Sequence, residues 1–226
     1  MEKILFRLML SLLAILFIGN VVSAEEIADR GSLNSMLGAS GVTEDFETFI
    51  ITDNEATNIG TTDLNSSTVV FGQGPDLVVD GVVFHSDSFL QWNSEGYYGL
   101  PSKNISTTYS KNLTIYFMNP VNAFGLDMLV FGNYNDNASI TVFGTESEDP
   151  IYSASNIFLS TAQSPVFWGY RDDMNIGKVI ISGSMRDYSP LIDSVTFGNV
   201  VPEPVSSALF VLGGAVLAFK RRKAKV

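Results

Sequence analysis

The chain has 226 residues, no cysteine and a formal net charge of −11 at pH 7. The lack of cysteine excludes a fold held by disulfides, and the acidic surplus argues against binding to nucleic acid or anionic lipid. Between Glu25 and Val200, 22 acidic residues stand against six basic ones, so this part carries a net charge of about −16. Such a surface suits divalent cations, neutral glycans or simple solubility at a cell surface.

The first 24 residues are typical of a secretory signal peptide. Lys3 and Arg7 precede an apolar stretch at residues 8–18, and Val22, Ser23 and Ala24 place short side chains before the expected cleavage site. We predict a signal helix in residues 1–24, export, and cleavage after Ala24. An uncleaved N-terminal anchor is the alternative.

Residues 25–42 are predicted to be a linker or a short helix, with helical spacing around residues 32–37. Residues 43–199 alternate short apolar segments with clusters of Gly, Asn, Asp and Ser, a pattern typical of strands and turns. Pro120 is expected to end one of these strands. The predicted strands cover residues 46–52, 68–71, 77–84, 89–92, 113–117, 124–130, 140–142, 166–168, 179–181 and 195–197.

This pattern predicts an all-β domain over residues 43–199. Ten or more short strands with turn residues between them favour a two-sheet antiparallel sandwich, jelly-roll-like in its organisation. A parallel β-helix is the structural alternative, but the sequence shows no fixed period that would support one.

Carboxylates stand at the start of two predicted strands. In the last strand Asp193 shares a face with apolar residues, and in the first strand Asp45 and Glu47 do the same. A buried carboxylate needs a partner, and Ca²⁺ binds carboxylate and carbonyl oxygens. We therefore predict that the first and last strands meet and that these residues hold a structural Ca²⁺. The alternative is that they cap turns or accept hydrogen bonds from backbone amides.

Aromatic residues offer a second candidate site. Trp and Tyr side chains could form a platform for sugar rings, although in a sandwich they more often fill the core. Tyr97 and Tyr98 lie in a loop-like segment, residues 93–99, where exposure is expected. They are the predicted glycan contacts.

Signals for catalysis are sparse. His85 is the only histidine, so any nucleophile–histidine arrangement must use it, and its position predicts a strand-end residue, not a base. No motif of a serine hydrolase, zinc protease or phosphate-binding loop is present. Two carboxylates could still serve a glycosidase, but no pair stands out.

The C-terminal end combines three features. Pro202, Glu203 and Pro204 precede an apolar stretch at residues 205–219, and five basic residues follow it. Fifteen helical residues would extend about 22 Å, short of the roughly 30 Å hydrocarbon core. The basic tail is expected to stay on the cytoplasmic side. Within the segment 200–226 we predict a hydrophobic helix at residues 205–219 that anchors the protein transiently in the membrane.

This order of motif, apolar stretch and basic tail resembles the PEP-CTERM sorting signal of bacterial envelope proteins. The resemblance implies that an exosortase-like membrane enzyme recognises Pro202, Glu203 and Pro204 and processes the tail. A plain anchor that is never cut is the alternative. The predicted β-domain also resembles the sandwich domain of many PEP-CTERM proteins. The shared motifs are Asp45-Phe46-Glu47, Ala123-Phe124-Gly125-Leu126-Asp127 and residues 192–198. This resemblance implies a fold but no activity.

Three functions follow from these observations. The first is a non-catalytic, exported bacterial protein of the cell surface or extracellular matrix, associated with exopolysaccharide. The second is a carbohydrate-binding module with a defined glycan site, and the third a secreted hydrolase. In each case the protein would be anchored transiently in the inner membrane and then reach the cell surface or matrix.

Overall fold

The computed structural model describes residues 24–110, 112–131, 135–160, 164–184 and 189–200. The predicted signal helix and the residues of the sorting signal from Val201 onward lie outside these ranges. Within them, no helix has the length and apolarity that a membrane crossing requires.

The described residues form twelve strands, one α-helix and two short 3₁₀ turns. In chain order the elements are β1 (Glu25–Ile27), α1 (Arg30–Leu37), a 3₁₀ turn (Gly38–Ser40), β2 (Val42–Glu44), β3 (Ala56–Asn58), β4 (Asp63–Leu64), β5 (Val82–His85), β6 (Phe89–Asn93), a 3₁₀ turn (Tyr97–Gly99), β7 (Asn104–Thr108), β8 (Asn112–Leu129), β9 (Asp136–Gly144), β10 (Pro150–Leu159), β11 (Val166–Gly183) and β12 (Leu191–Gly198).

All strand pairs within the described residues are antiparallel. The all-β prediction is therefore confirmed, and the alternative of a parallel β-helix is wrong. Hydrogen bonds join the twelve strands into one sheet, because β8 and β11 are each 18 residues long and run through both of its halves.

The first half-sheet consists of β4, β5, the start of β8, the end of β11, β9 and β10. The second half-sheet consists of β1, the start of β11, the end of β8, and β12, β7, β6 and β3, with β2 also pairing with β12. Rings from both halves meet in one core. The ring centroid of Phe46 lies 5.1 Å from that of Phe84 in the first half-sheet and 5.7 Å from that of Trp92 in the second.

Pro120 does not end a strand. It lies inside β8, where the register with β11 shifts between the Tyr116 and Val121 pairings. The three residues before Val121 are exposed, so proline's missing N–H leaves no buried acceptor unpaired. The irregularity in both strands allows them to pass from one half-sheet to the other.

The strand predicted at residues 46–52 is not observed. Strand β2 ends earlier, at Glu44, after which the chain turns at Phe46, whose φ of 58° is left-handed. Phe46 is fully buried, so the turn inserts its ring into the core. Residues 68–71 likewise form part of a tight turn, with a bridge between Val70 and Gln73.

The N-terminal segment covers the outer face of the second half-sheet. Asp29 caps α1 by accepting the Ser32 N–H at 2.9 Å, and Leu33 and Leu37 are buried with Ala123 of β8. A Cβ on Gly125 would lie 2.8 Å from Leu33 Cδ2, so glycine permits this close approach. The short helix expected here therefore packs on the sheet.

Arg30 holds this segment in place electrostatically. Its guanidinium donates to Asp127 Oδ2 at 2.7 Å and 3.0 Å, and it also donates to the hydroxyls of Ser194 and Thr196. Its charge lies 5.3 Å from the centre of the Phe167 ring. Arg30 therefore ties α1 to three strands of the second half-sheet.

Candidate functional site

The loop between β6 and β7 presents two tyrosines at one end of the domain. The 3₁₀ turn Tyr97–Gly99 follows Gly96, which has a φ of 79°. A Cβ at Gly96 would lie 2.5 Å from Asn54 Oδ1, so a larger residue there would have to displace the Asn54 side chain and adopt a strained φ. The Leu100 N–H donates to the Tyr97 carbonyl at 3.1 Å and closes the turn.

Tyr97 and Tyr98 form an aromatic cluster with Phe131, which follows β8. The Tyr97 and Tyr98 ring centroids are 4.6 Å apart, and Phe131 lies 6.2 Å and 6.0 Å from them, all edge to face. Tyr97 and Phe131 rest on the buried cluster of Leu100, Leu129 and Leu191. These three rings are called the aromatic cluster below.

Tyr98 is the exposed member of the aromatic cluster. Its side chain is 64% exposed, and its backbone is left-handed, with φ 48° and ψ 28°. A non-glycine residue in this region carries a conformational cost, and an exposed ring gains little burial in return. This combination, together with the contacts to Tyr97 and Phe131, makes Tyr98 a candidate binding residue.

The other Trp and Tyr side chains differ sharply in exposure. Trp92, Trp168 and Tyr170 are buried in the core. Tyr109 is 77% exposed, but it follows the far end of β7 from the Tyr97–Gly99 turn. The sequence prediction that Tyr97 and Tyr98 lie in an accessible loop agrees with the structure, whereas Phe131 was missed.

The structure brings Glu47 near Asp193, whose pKa is raised by burial and further by the Glu47 charge. Strands β2 and β12 do pair, with Glu44 opposite Val195, as expected for the first and last strands. However, Asp45 and Glu47 are exposed, and the Glu47 carboxylate lies 3.5 Å from Lys103 Nζ. Among the described residues, no three His, Cys, Asp or Glu side chains are placed to hold a metal ion. The calcium site stays a prediction.

Asp193 is partly buried and accepts a hydrogen bond from the Ser102 hydroxyl. Burial raises the pKa of the Asp193 carboxyl, and the neighbouring charges of Asp127 and Glu47 act in the same direction. The Ser102 bond opposes that rise in pKa. This arrangement matches the alternative interpretation, in which Asp193 is a hydrogen-bonded residue at the rim of the sheet.

The buried carboxylate of this region is Glu44, one residue before the predicted pair. Its Oε1 accepts the Phe46 N–H at 2.5 Å and its Oε2 accepts the Val79 N–H at 2.7 Å. Burial raises its pKa in spite of these two bonds. Because β2 ends at Glu44, the alternation that pointed Asp45 and Glu47 inward does not apply, and Glu44 joins two loops to the core.

His85 lies at the end of β5, as predicted. Its Nδ1 is 2.9 Å from Asp63 Oδ1, its Nε2 is 3.8 Å from Asp87 Oδ1, and its ring centroid is 6.1 Å from that of Tyr116. Both ring nitrogens therefore face carboxylates. In a serine-type triad one of them would instead face the hydroxyl of the nucleophile. The surroundings of His85 give no support to a hydrolase of that type.

No family model matches this chain, and no curated protein matches it. Among solved structures, CBM29_1, a family 29 carbohydrate-binding module from Piromyces equi, is similar at 8% identity and a TM-score of 0.34, over 58% of this chain and 90% of that one. CBM35 from Cellvibrio japonicus Abf62 is similar at 16% identity and a TM-score of 0.33, over 51% of this chain and 84% of that one.

A third similar structure is CpGH89 from Clostridium perfringens, at 16% identity and a TM-score of 0.36. The match covers 55% of this chain but only 15% of that enzyme. Similarity at these levels says nothing about what this chain binds.

Proposed function

We propose that residues 25–200 form a non-catalytic carbohydrate-binding domain of an exported protein, and that the aromatic cluster is its contact with the glycan. The observation that carries this proposal is the exposed Tyr98 ring, held in a left-handed conformation against Tyr97 and Phe131. A serine-type hydrolase is disfavoured because both ring nitrogens of His85, the single histidine, face carboxylates.

The geometry of the aromatic cluster suits the apolar face of a sugar ring. Aromatic rings offer large apolar contact areas at a small loss of side-chain freedom. Gly96, the closed turn and the buried leucines beneath it fix the loop before any ligand arrives. Such preorganisation lowers the entropic cost of binding.

The charge of the domain narrows the class of glycan. A net charge of about −16 over residues 25–200 repels anionic polymers, and Glu95 lies within three residues of Tyr98. Neutral or cationic polysaccharide is therefore the favoured partner. An extracellular matrix polysaccharide of this kind would explain why an exported protein carries the site.

The proposed site is tested by removing the Tyr98 ring without straining the turn. Tyr98→Asn suits the purpose because asparagine tolerates left-handed backbone. In a polysaccharide pull-down with residues 25–200, we expect this variant to lose most of the bound fraction. Removing the Tyr98 ring takes away the exposed apolar area that the sugar would cover.

Tyr109→Asn is the matched control, because Tyr109 is also exposed and left-handed, with a φ of 61°, but lies elsewhere. It should bind like the unchanged domain. Equal loss in both variants would point to a general effect of exposed tyrosines. If the unchanged domain retains no polysaccharide, the proposal fails and a surface protein without a glycan site is favoured.

Export and sorting complete the proposal. We infer that residues 1–24 direct export, that Pro202, Glu203 and Pro204 are recognised by an exosortase-like enzyme, and that the anchored form is an intermediate. The support is the order of signals at the two ends of the chain. Mass spectrometry of the mature protein tests it: a dominant form that still ends at Val226 contradicts the processing step.

A further inference from the structure

A pocket of about 250 Å³ opens beside the loop that carries the aromatic cluster. Its wall includes the apolar side chains of Phe49, Ile50, Ile51 and Phe71, together with Glu55. Two hydrogen bonds join the pocket wall to the loop of the aromatic cluster. The Asn54 N–H donates to the Glu95 carbonyl at 3.0 Å, and the Glu55 N–H donates to the side-chain Oγ of Ser94 at 2.9 Å.

Phe71 occupies an unfavourable place in this wall. Phe71 and Gly72, with φ values of 51° and 79°, form a two-residue turn between Val70 and Gln73, whose backbones exchange hydrogen bonds of 2.9 Å and 2.8 Å. Such turns strongly prefer Asn-Gly. The chain instead places a phenylalanine there and leaves it 67% exposed, which serves contact with a ligand better than it serves the turn.

Gln73, a polar residue of the same wall, is already engaged in hydrogen bonds. Gln73 Oε1 accepts the Ile50 N–H at 2.7 Å, and Gln73 Nε2 donates to the Ile50 carbonyl at 2.8 Å. These bonds hold Ile50 in the wall, although its side chain is 79% exposed. Behind it, buried Phe49 stacks on Trp92 at 4.8 Å. Half of the residues that line the pocket are therefore apolar, and the exposed Glu55 is the charged residue among them.

We propose that this pocket receives the methyl group of a sugar, carried either as an acetyl substituent or as the terminal carbon of a 6-deoxy sugar. The inference rests on the proposed function and specifies its ligand. The pocket volume is below the roughly 300–1,000 Å³ of pockets for drug-sized molecules. The pocket is therefore of a size for one substituted sugar unit. The Glu55 carboxylate accepts a hydrogen bond from a hydroxyl or amide N–H of that unit and disfavours anionic sugars.

Three tetrasaccharides distinguish the sources of the methyl group. They are the β-1,4 tetramer of N-acetylglucosamine, cellotetraose, which has the same linkage without the acetamido group, and a tetramer of rhamnose, a 6-deoxy sugar. In calorimetric titration of residues 25–200, at least one methyl-bearing tetramer should bind roughly 10-fold or more tighter than cellotetraose. This is the usual gain in affinity from a methyl-sized group in an apolar pocket.

Phe71→Asn is the informative variant, because it converts the turn to Asn-Gly and should keep or raise the melting temperature. We expect it to abolish the preference for the methyl-bearing tetramer, whereas Tyr98→Asn should weaken all three sugars. Equal affinity for all three in the unchanged domain, or a preference that survives Phe71→Asn, overturns the inference and leaves the proposed function standing. Binding of none overturns the inference, and the pull-down then decides the proposed function.

Discussion

Replacing Trp92 with alanine should lower the free energy of unfolding of residues 25–200 by about 3–5 kcal/mol. Trp92 is fully buried, lies edge to face with Phe46 at 5.7 Å, and stacks on Phe49 at 4.8 Å. Its indole N–H donates to the Phe46 carbonyl at 3.2 Å. Truncation would leave both a cavity and an unpaired carbonyl.

Urea denaturation monitored by circular dichroism measures this loss. Trp92→Phe is the milder partner variant: it keeps the ring packing, loses the hydrogen bond, and should cost less than Trp92→Ala. An alanine at the exposed Phe158 provides the surface control and should change stability by less than about 0.5 kcal/mol. A Trp92→Ala effect as small as that of the control would contradict the placement of Trp92 in the core.

Glu44→Ala should produce the second large loss of stability. Two backbone N–H groups, those of Phe46 and Val79, would lose their acceptor, and each unpaired buried donor costs about 1–3 kcal/mol. The variant also removes the cost of burying the Glu44 carboxylate, a cost visible in the pKa that burial raises. This gain offsets part of the loss of stability. We expect destabilisation because the two bonds also fix the turn that inserts Phe46 into the core.

Asp45→Ala is the control for Glu44→Ala, because Asp45 is the adjacent acid and is exposed. Its carboxylate accepts one N–H, that of Glu47, at 3.2 Å at the surface, so its removal should matter little. Thermal unfolding of the two variants under one buffer condition gives the comparison. A larger loss for Asp45→Ala than for Glu44→Ala would reverse the assignment of the buried carboxylate.

The β-structure was largely predictable from the sequence, because alternation and turn residues are local signals. The apolar segments at residues 89–92, 113–117 and 195–197 lie within observed strands, and the segment at residues 124–130 does so up to Leu129. Strand continuity was not predictable: Pro120 is compatible with a strand where the register shifts and its neighbours face solvent. The placement of α1 over Gly125 depends on contacts between residues far apart in the chain.

The candidate site was only partly predictable. The glycines on both sides of Tyr97 and Tyr98 indicated an exposed loop, and the structure has that loop. Phe131 joins them through tertiary packing, which no local pattern reveals. Phe71 was missed because Phe-Gly is not a usual signal for a tight turn. Glu44 is the buried carboxylate, whereas Asp45 and Glu47 are exposed, since alternation cannot show where a strand ends.

Mapping the binding site shows whether the aromatic cluster contacts glycan. Residues 25–200 would be titrated with neutral matrix polysaccharide fragments while aromatic NMR signals are followed. We expect shifts at Tyr97, Tyr98 and Phe131, with Tyr109 unmoved. Shifts confined to Tyr116 and His85 on the opposite half-sheet, or no shifts at saturating glycan, would contradict that contact.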